Sequence, residues 1–378
     1  MFYLSSFFII TIAFIFGICF LLPGNISEKV IFTLWYAFII SLAVFSFFAE
    51  PSVYDDLYSH YYDIDQIRNG YGFRIGTLKG IGIVFWLVSK LPSNGFLPFA
   101  SVIIFGICIA EIAKEYYNKE SYNTKNLIMY FVLATGSCNV FYIISGIRCS
   151  LVAVLWGLAY FKLYNHKKIK EFIIVELLLS LLHYIAILFF IIHISYLILM
   201  KINKKRAWIS SLFVFVVFII ITKNSQAIGK LLLLFGSNST GSLGDKWVLY
   251  TTDYTGGMEI ENTLRFITII ILVVCYFYPQ RKKKEDEKFI LYLAAVYLST
   301  NIGFTIIAER LPYLIGVVSL PLIDSSMKKY GKGRFFIQLL LFVFFIVQLL
   351  YGFHSMFSHM KFYGYDIKNI LNSLIRLW

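Results

Sequence analysis

Long apolar runs recur along this chain, and many are separated only by short polar stretches. Phe7 to Leu22, Val30 to Phe48, Leu212 to Thr222 and Phe335 to Leu350 each approach the roughly 20 residues that carry a helix across a roughly 30 Å hydrocarbon layer. Apolar residues fill 59% of 378 positions, charged ones 15%, and the mean hydropathy is +0.75, more apolar surface than one soluble core can bury. In lipid the backbone has to satisfy its own polar groups, and continuous apolar runs do so as helices. The expected fold class is therefore all-α, a polytopic integral membrane protein with residues 1–378 as a single transmembrane domain. The first run lacks the basic flank and small-residue cleavage site of a secretory signal, and a second run follows it closely, so it reads as a retained helix.

A net charge of +13 in a soluble protein points to nucleic acid. Here most Lys and Arg sit in short clusters between apolar runs, the positive-inside pattern, and no nucleic-acid partner is expected. The 5 cysteines fall within or at the ends of apolar segments with no metal or redox spacing, and read as small core residues. The histidines show no ligand spacing either, so neither metal nor cofactor is expected.

Basic clusters lie at 114–125, 167–170, 201–206, 281–288 and 328–334. With all of them in the cytoplasm, every stretch between neighbours is a hairpin with its tip outside. The tips expected are Ser145 to Arg148, a break near His183, a loop at 223–263, and a turn around Glu309, Arg310 and Pro312. The break follows from length, because Glu171 to Met200 as one helix extends about 45 Å, too long for one crossing. Residues 50–74 read as an outer acidic loop, and 75–90, carrying Lys79, Trp86 and Lys90, as a helix in the outer interface. In 366–378, Ile367, Ile370, Leu371 and Leu374 oppose Lys368, Asn369 and Arg376, the spacing of a C-terminal interfacial helix. The count is about twelve transmembrane helices with both termini outside.

The charges that escape the basic clusters are the functional candidates. A guanidinium at Arg148, between apolar spans, either faces a polar cavity or an anion, or snorkels to headgroups. Arg310 holds the equivalent place at another tip and has Glu309 as a neighbour to pair with. His183, at the break, is either a proton-transfer or hydroxyl-binding group or a buried histidine on a carbonyl. Asp56 is a candidate base, or else a solvated carboxylate, and Tyr58, His60 and Tyr61 beside it form a candidate sugar-binding rim.

Together, Asp56-Leu57-Tyr58-Ser59-His60-Tyr61, then Gly146-Ile147-Arg148-Cys149-Ser150-Leu151-Val152-Ala153, Leu181-Leu182-His183 and Ala308-Glu309-Arg310 resemble a family, the Wzy-type or EpsG-like polysaccharide polymerases of bacterial surface-glycan pathways. The resemblance runs from about 50 to 325. It departs from the family pattern at Cys149 and Ser150, where Gln commonly follows the Arg, and at Ile185, where a hydroxyl residue is frequent. It implies a glycosyltransferase of the bacterial cytoplasmic (inner) membrane with an outward-facing active site. Its substrates are undecaprenyl-diphosphate-linked oligosaccharide repeat units, and a chain-length regulator and a flippase are partners. Arg148 and Arg310 are then the diphosphate-binding residues and Asp56 or His183 the catalytic acceptor-side group. Tyr58, His60, Tyr61 and Glu309 are the glycan-binding residues. A flippase for lipid-linked oligosaccharide and a glycosyltransferase using a polyprenyl-phosphate sugar are the alternatives. The break at His183 without a visible internal repeat weighs against the transporter.

Overall fold

The computed structural model describes residues 26–72, 79–117, 124–145, 147–202, 259–277, 284–301, 305–327 and 334–362, besides isolated positions within 11–17 and 212–220. Apart from those positions, the expected spans at 7–22 and 212–222, the loop residues 223–258 and the C-terminal helix at 366–378 lie outside the described residues. The chain is all-α. It runs through α1 (Glu28–Phe47), β1 (Ala49–Pro51), α2 (Asp56–Arg68), α3 (Lys79–Ser89), α4 (Phe96–Tyr117), α5 (Thr124–Cys138), α6 (Val140–Ile144), α7 (Ile147–Lys162), α8 (Ile169–Ser180) and α9 (Ile185–Ile202). Then come α10 (Glu259–Phe277), α11 (Glu285–Thr300), α12 (Thr305–Val318), α13 (Leu320–Met327), α14 (Arg334–His359) and β2 (Met360–Phe362), which pairs antiparallel with β1. Among the described residues, 3 helical stretches are long and apolar enough to cross a membrane: α1, α4 and Ile147–Tyr164.

Two compact units emerge, Met1–Ala186 with Phe336–Trp378, and Ile187–Phe335. In the first, α1 and α4 pack antiparallel along a seam that needs glycine. A Cβ on Gly106 would stand 2.4 Å from Ile39 Cγ2, and the Gly106 carbonyl accepts from Trp35 Nε1 at 2.9 Å. Where lipid is the solvent, close backbone approach of this kind holds helices together through packing. At one end of the seam a Cβ on Gly95 would reach within 2.1 Å of the Phe47 carbonyl. Helix α7 runs parallel to α4: Ser101 Oγ donates to the Ile143 carbonyl at 3.1 Å near one end, and Lys162 meets Glu111 at 2.7 Å near the other. Helix α8 returns against α7, with Trp156 Nε1 donating to Glu176 at 2.9 Å. These pairings gather the end of α1, the start of α4, the α6–α7 junction and the α8–α9 turn at one end of the unit.

The break near His183 is present, since α8 stops at Ser180 and α9 starts at Ile185. Two expectations are corrected. The stretch 50–74 is not a loop, because Asp56–Arg68 is helical. Leu57, His60 and Ile64 fall on one helical face and are buried, so the segment has an apolar stripe that a count of its acidic residues hides. Nor does the chain turn at Glu309, Arg310 and Pro312, for α12 continues through Pro312. Helix α11 ends at Thr300 and α12 starts at Thr305. Loss of one N–H is tolerated where packing around the helix makes up for it.

Candidate functional site

Arg148 is the second residue of α7 and is half-buried. Its guanidinium makes no hydrogen bond or ion pair among the described residues. The next residue, Cys149, is buried and its Sγ lies 3.6 Å from His183 Nε2 and 3.8 Å from Nδ1. This contact places the start of α7 directly against the α8–α9 break. Gly80 at the start of α3 supports the break by donating its N–H to the Leu181 carbonyl at 3.1 Å, satisfying a group at the end of α8. A helix N-terminus carries partial positive charge, which adds to that of Arg148.

The hydrogen bonds of His183 fix its tautomer. Its Nδ1 accepts the Ile185 N–H at 3.1 Å, so the neutral ring carries its proton on Nε2. That nitrogen faces Cys149 Sγ at 3.6 Å. The Cys149 contact therefore brings the helical turn that carries Arg148 against the segment that carries His183.

A second feature lies at the same end of the unit. A cleft of about 850 Å³ opens between the end of α1, β1, α2 and the α3–α4 turn. Tyr58, Tyr61, Tyr62 and Asp65 line it, at the i, i+3, i+4, i+7 spacing that puts them on one face of α2. Arg68 ties α2 to the α3–α4 turn, with Nε donating to the Ser89 carbonyl at 3.2 Å and a terminal nitrogen to Asn94 Oδ1 at 2.8 Å. The Tyr61 hydroxyl donates to the Ala49 carbonyl at 3.4 Å, and burial pushes this phenol well above its usual range, keeping it protonated. His60 takes no part: it is buried to 3% exposure and sits against Phe85 of α3, ring centroids 5.1 Å apart. His60, expected on a sugar-binding rim, therefore does not line this cleft. Asp56 is exposed at the start of α2 and does not line the cleft.

The far end of the unit carries a different polar group. Glu111 bridges Lys114 at 2.9 Å and Lys162 at 2.7 Å, and His166 lies 2.7 Å from Glu115. These residues belong to or adjoin the basic clusters, so within this unit the basic end and the end bearing Arg148 are opposite.

In the second unit, Arg310 and Glu309 sit on α12, where Glu309 is buried and Arg310 half-buried. Arg310 donates to the Tyr313 hydroxyl at 3.2 Å, and Arg265 of α10 donates to the same oxygen at 3.4 Å. The Arg265 guanidinium also lies over the Tyr313 ring, 5.1 Å from its centroid, and pairs with Glu261 one helical turn earlier. Glu309 lies in electrostatic range of Arg310, Arg265 and Glu261. Sequence reasoning missed Arg265, Glu261 and Glu176. The usable signal was the same for all of them, a charge inside an apolar helical run. Among the described residues no group of His, Cys, Asp and Glu is arranged to hold a metal.

The chain matches no protein-family model, no curated protein and no solved structure.

Proposed function

We propose that this chain is a Wzy-type or EpsG-like polysaccharide polymerase, with about twelve spans in a bacterial cytoplasmic membrane and its site facing outward. The observation that carries the reading is Arg148, a half-buried guanidinium with no bond among the described residues, on the turn of α7 that meets a helix break through the Cys149–His183 contact. A charge so placed in an apolar bundle calls for an anionic partner, and a diphosphate supplies one. In the reaction, an acceptor sugar hydroxyl attacks the anomeric carbon of a lipid-linked glycan. The bond from that carbon to the phosphate oxygen breaks, undecaprenyl diphosphate leaves with the electron pair, and the hydroxyl proton passes to a carboxylate or to water. Arg148 and His183 stabilise the charge that develops on the leaving oxygen. Arg310 is a second candidate for binding a diphosphate in this account, and Asp56, exposed at the start of α2, is the candidate acceptor of the proton.

Arg148→Ala should lower long-polymer yield in cells by about 100-fold or more while protein level and lipid-linked single repeats persist. Normal polymer in that variant sinks the proposal. The α8–α9 break also suits a flippase for the same lipid, since broken helices line transport sites. In that case Arg148→Ala strands the repeat units on the cytoplasmic leaflet, where an externally added glycosidase cannot reach them.

A further inference from the structure

We propose that the α2 cleft is a saccharide subsite that takes a neutral or amine-bearing pyranose and rejects an anionic one. This rests on the polymerase reading and names the sugar class of its acceptor side.

A sugar ring presents apolar C–H faces and a rim of hydroxyls. Its site needs flat aromatic surface and fixed polar groups. The cleft has both, with Tyr58 and Tyr62 exposed along one face of α2 and Glu50 and Asp65 among the lining carboxylates. Asp65 is held in place. Its Oδ1 accepts Arg68 at 2.5 Å and Asn94 Nδ2 at 3.0 Å, and both bonds fall on that one oxygen. Oδ2 accepts no bond among the described residues and is left for a hydroxyl or ammonium group.

Asn94 is itself saturated, its Oδ1 taken by Arg68 and its amide shared between Asp65 and, at 3.5 Å, the Tyr61 carbonyl. The clamp is therefore preorganised across two elements, which lowers the ordering cost of binding. Charge sets the selectivity. The lining contains the carboxylates of Glu50 and Asp65 and no Lys, Arg or His; Arg68 balances Asp65, so the charge that repels a uronate or sugar phosphate is that of Glu50, which has no ion-pair partner among the described residues.

The test is saturation-transfer NMR on the full chain in nanodiscs free of glycoside detergent. The probes are lactose, the N-acetylglucosamine disaccharide and a glucuronate-containing disaccharide. Transfer to the two neutral probes is expected, with weaker binding of the glucuronate probe. Tyr58→Ala should raise Kd for the neutral probes about tenfold. Tyr54→Ala, at a residue 95% exposed and outside the lining, should leave it unchanged. Glu50→Gln should weaken neutral binding and narrow the gap to glucuronate, and it decides the matter if Tyr58→Ala does not fold. Absence of neutral binding, equal affinity in both the Tyr58 and Glu50 variants, or glucuronate binding as tightly as lactose overturns the proposal. The probes carry no lipid or diphosphate. Saccharide binding without polymerisation therefore defeats the polymerase reading alone, and polymerisation without saccharide binding defeats only this subsite.

Discussion

A guanidinium in an apolar bundle gives up hydration, and Arg265 and Arg148 stand in different positions with respect to that loss. Arg265 is 2% exposed, paired with Glu261 and laid over Tyr313, so its charge is answered within the protein. Arg148 is half-buried at the start of α7, and nothing among the described residues answers its charge. The first arrangement is what a structural charge needs and the second what a ligand site needs. Arg265→Ala should accordingly lower stability by about 3–5 kcal/mol, because it strips a partner from the buried Glu261. The double variant Arg265→Met with Glu261→Gln should recover at least half of that. Thermal melting in nanodiscs reads both, and a single variant as stable as the parent removes the structural role. Spacing alone makes the Arg148 candidate legible, since one charge interrupts an apolar run. The tautomer of His183 is not legible in that way, because it depends on a bond to the N–H of Ile185 formed only once the helix breaks there.

Among the elements, length was the dependable signal and composition the misleading one. An apolar stretch of about 45 Å has to break, and it breaks at 181–184. The acidic count of 50–74 suggested a loop, yet the period of Leu57, His60 and Ile64 makes α2 amphipathic, with an adjoining face forming the cleft wall. Around 309–312 the pair of charges and a proline suggested a turn. Helix α12 runs on instead, and Tyr313, one turn after Arg310, accepts from both Arg310 and Arg265 of α10 inside the unit. The α1–α4 seam was not legible either, as no pattern shows which glycine meets which neighbour. Gly106→Leu should force these helices apart, since even a Cβ stands 2.4 Å from Ile39 Cγ2, and a loss of about 3 kcal/mol or failure to assemble is expected. Gly106→Leu with the melting temperature of the parent protein contradicts the described packing.

For the whole molecule the central issue is sidedness. Within the first unit the basic cluster of Lys114, Lys162 and His166 marks one end, and Arg148, His183 and the cleft mark the other. If the basic end is cytoplasmic, a membrane-impermeant maleimide should label Tyr54→Cys in intact cells and Lys167→Cys only after permeabilisation. Among the described residues Cys108, Cys138, Cys149 and Cys275 are all buried, and Cys19→Ser in the labelling background removes the remaining thiol. Labelling of Lys167→Cys from outside reverses the topology and moves the site to the wrong face for the proposed reaction. The most direct measurement is reconstitution of the purified chain in nanodiscs with a synthetic undecaprenyl-diphosphate repeat unit. A ladder of oligomers, with one undecaprenyl diphosphate released per linkage and no ladder from Arg148→Ala, is the predicted result. Repeat units recovered unchanged from the parent protein, with no released diphosphate, contradict the account.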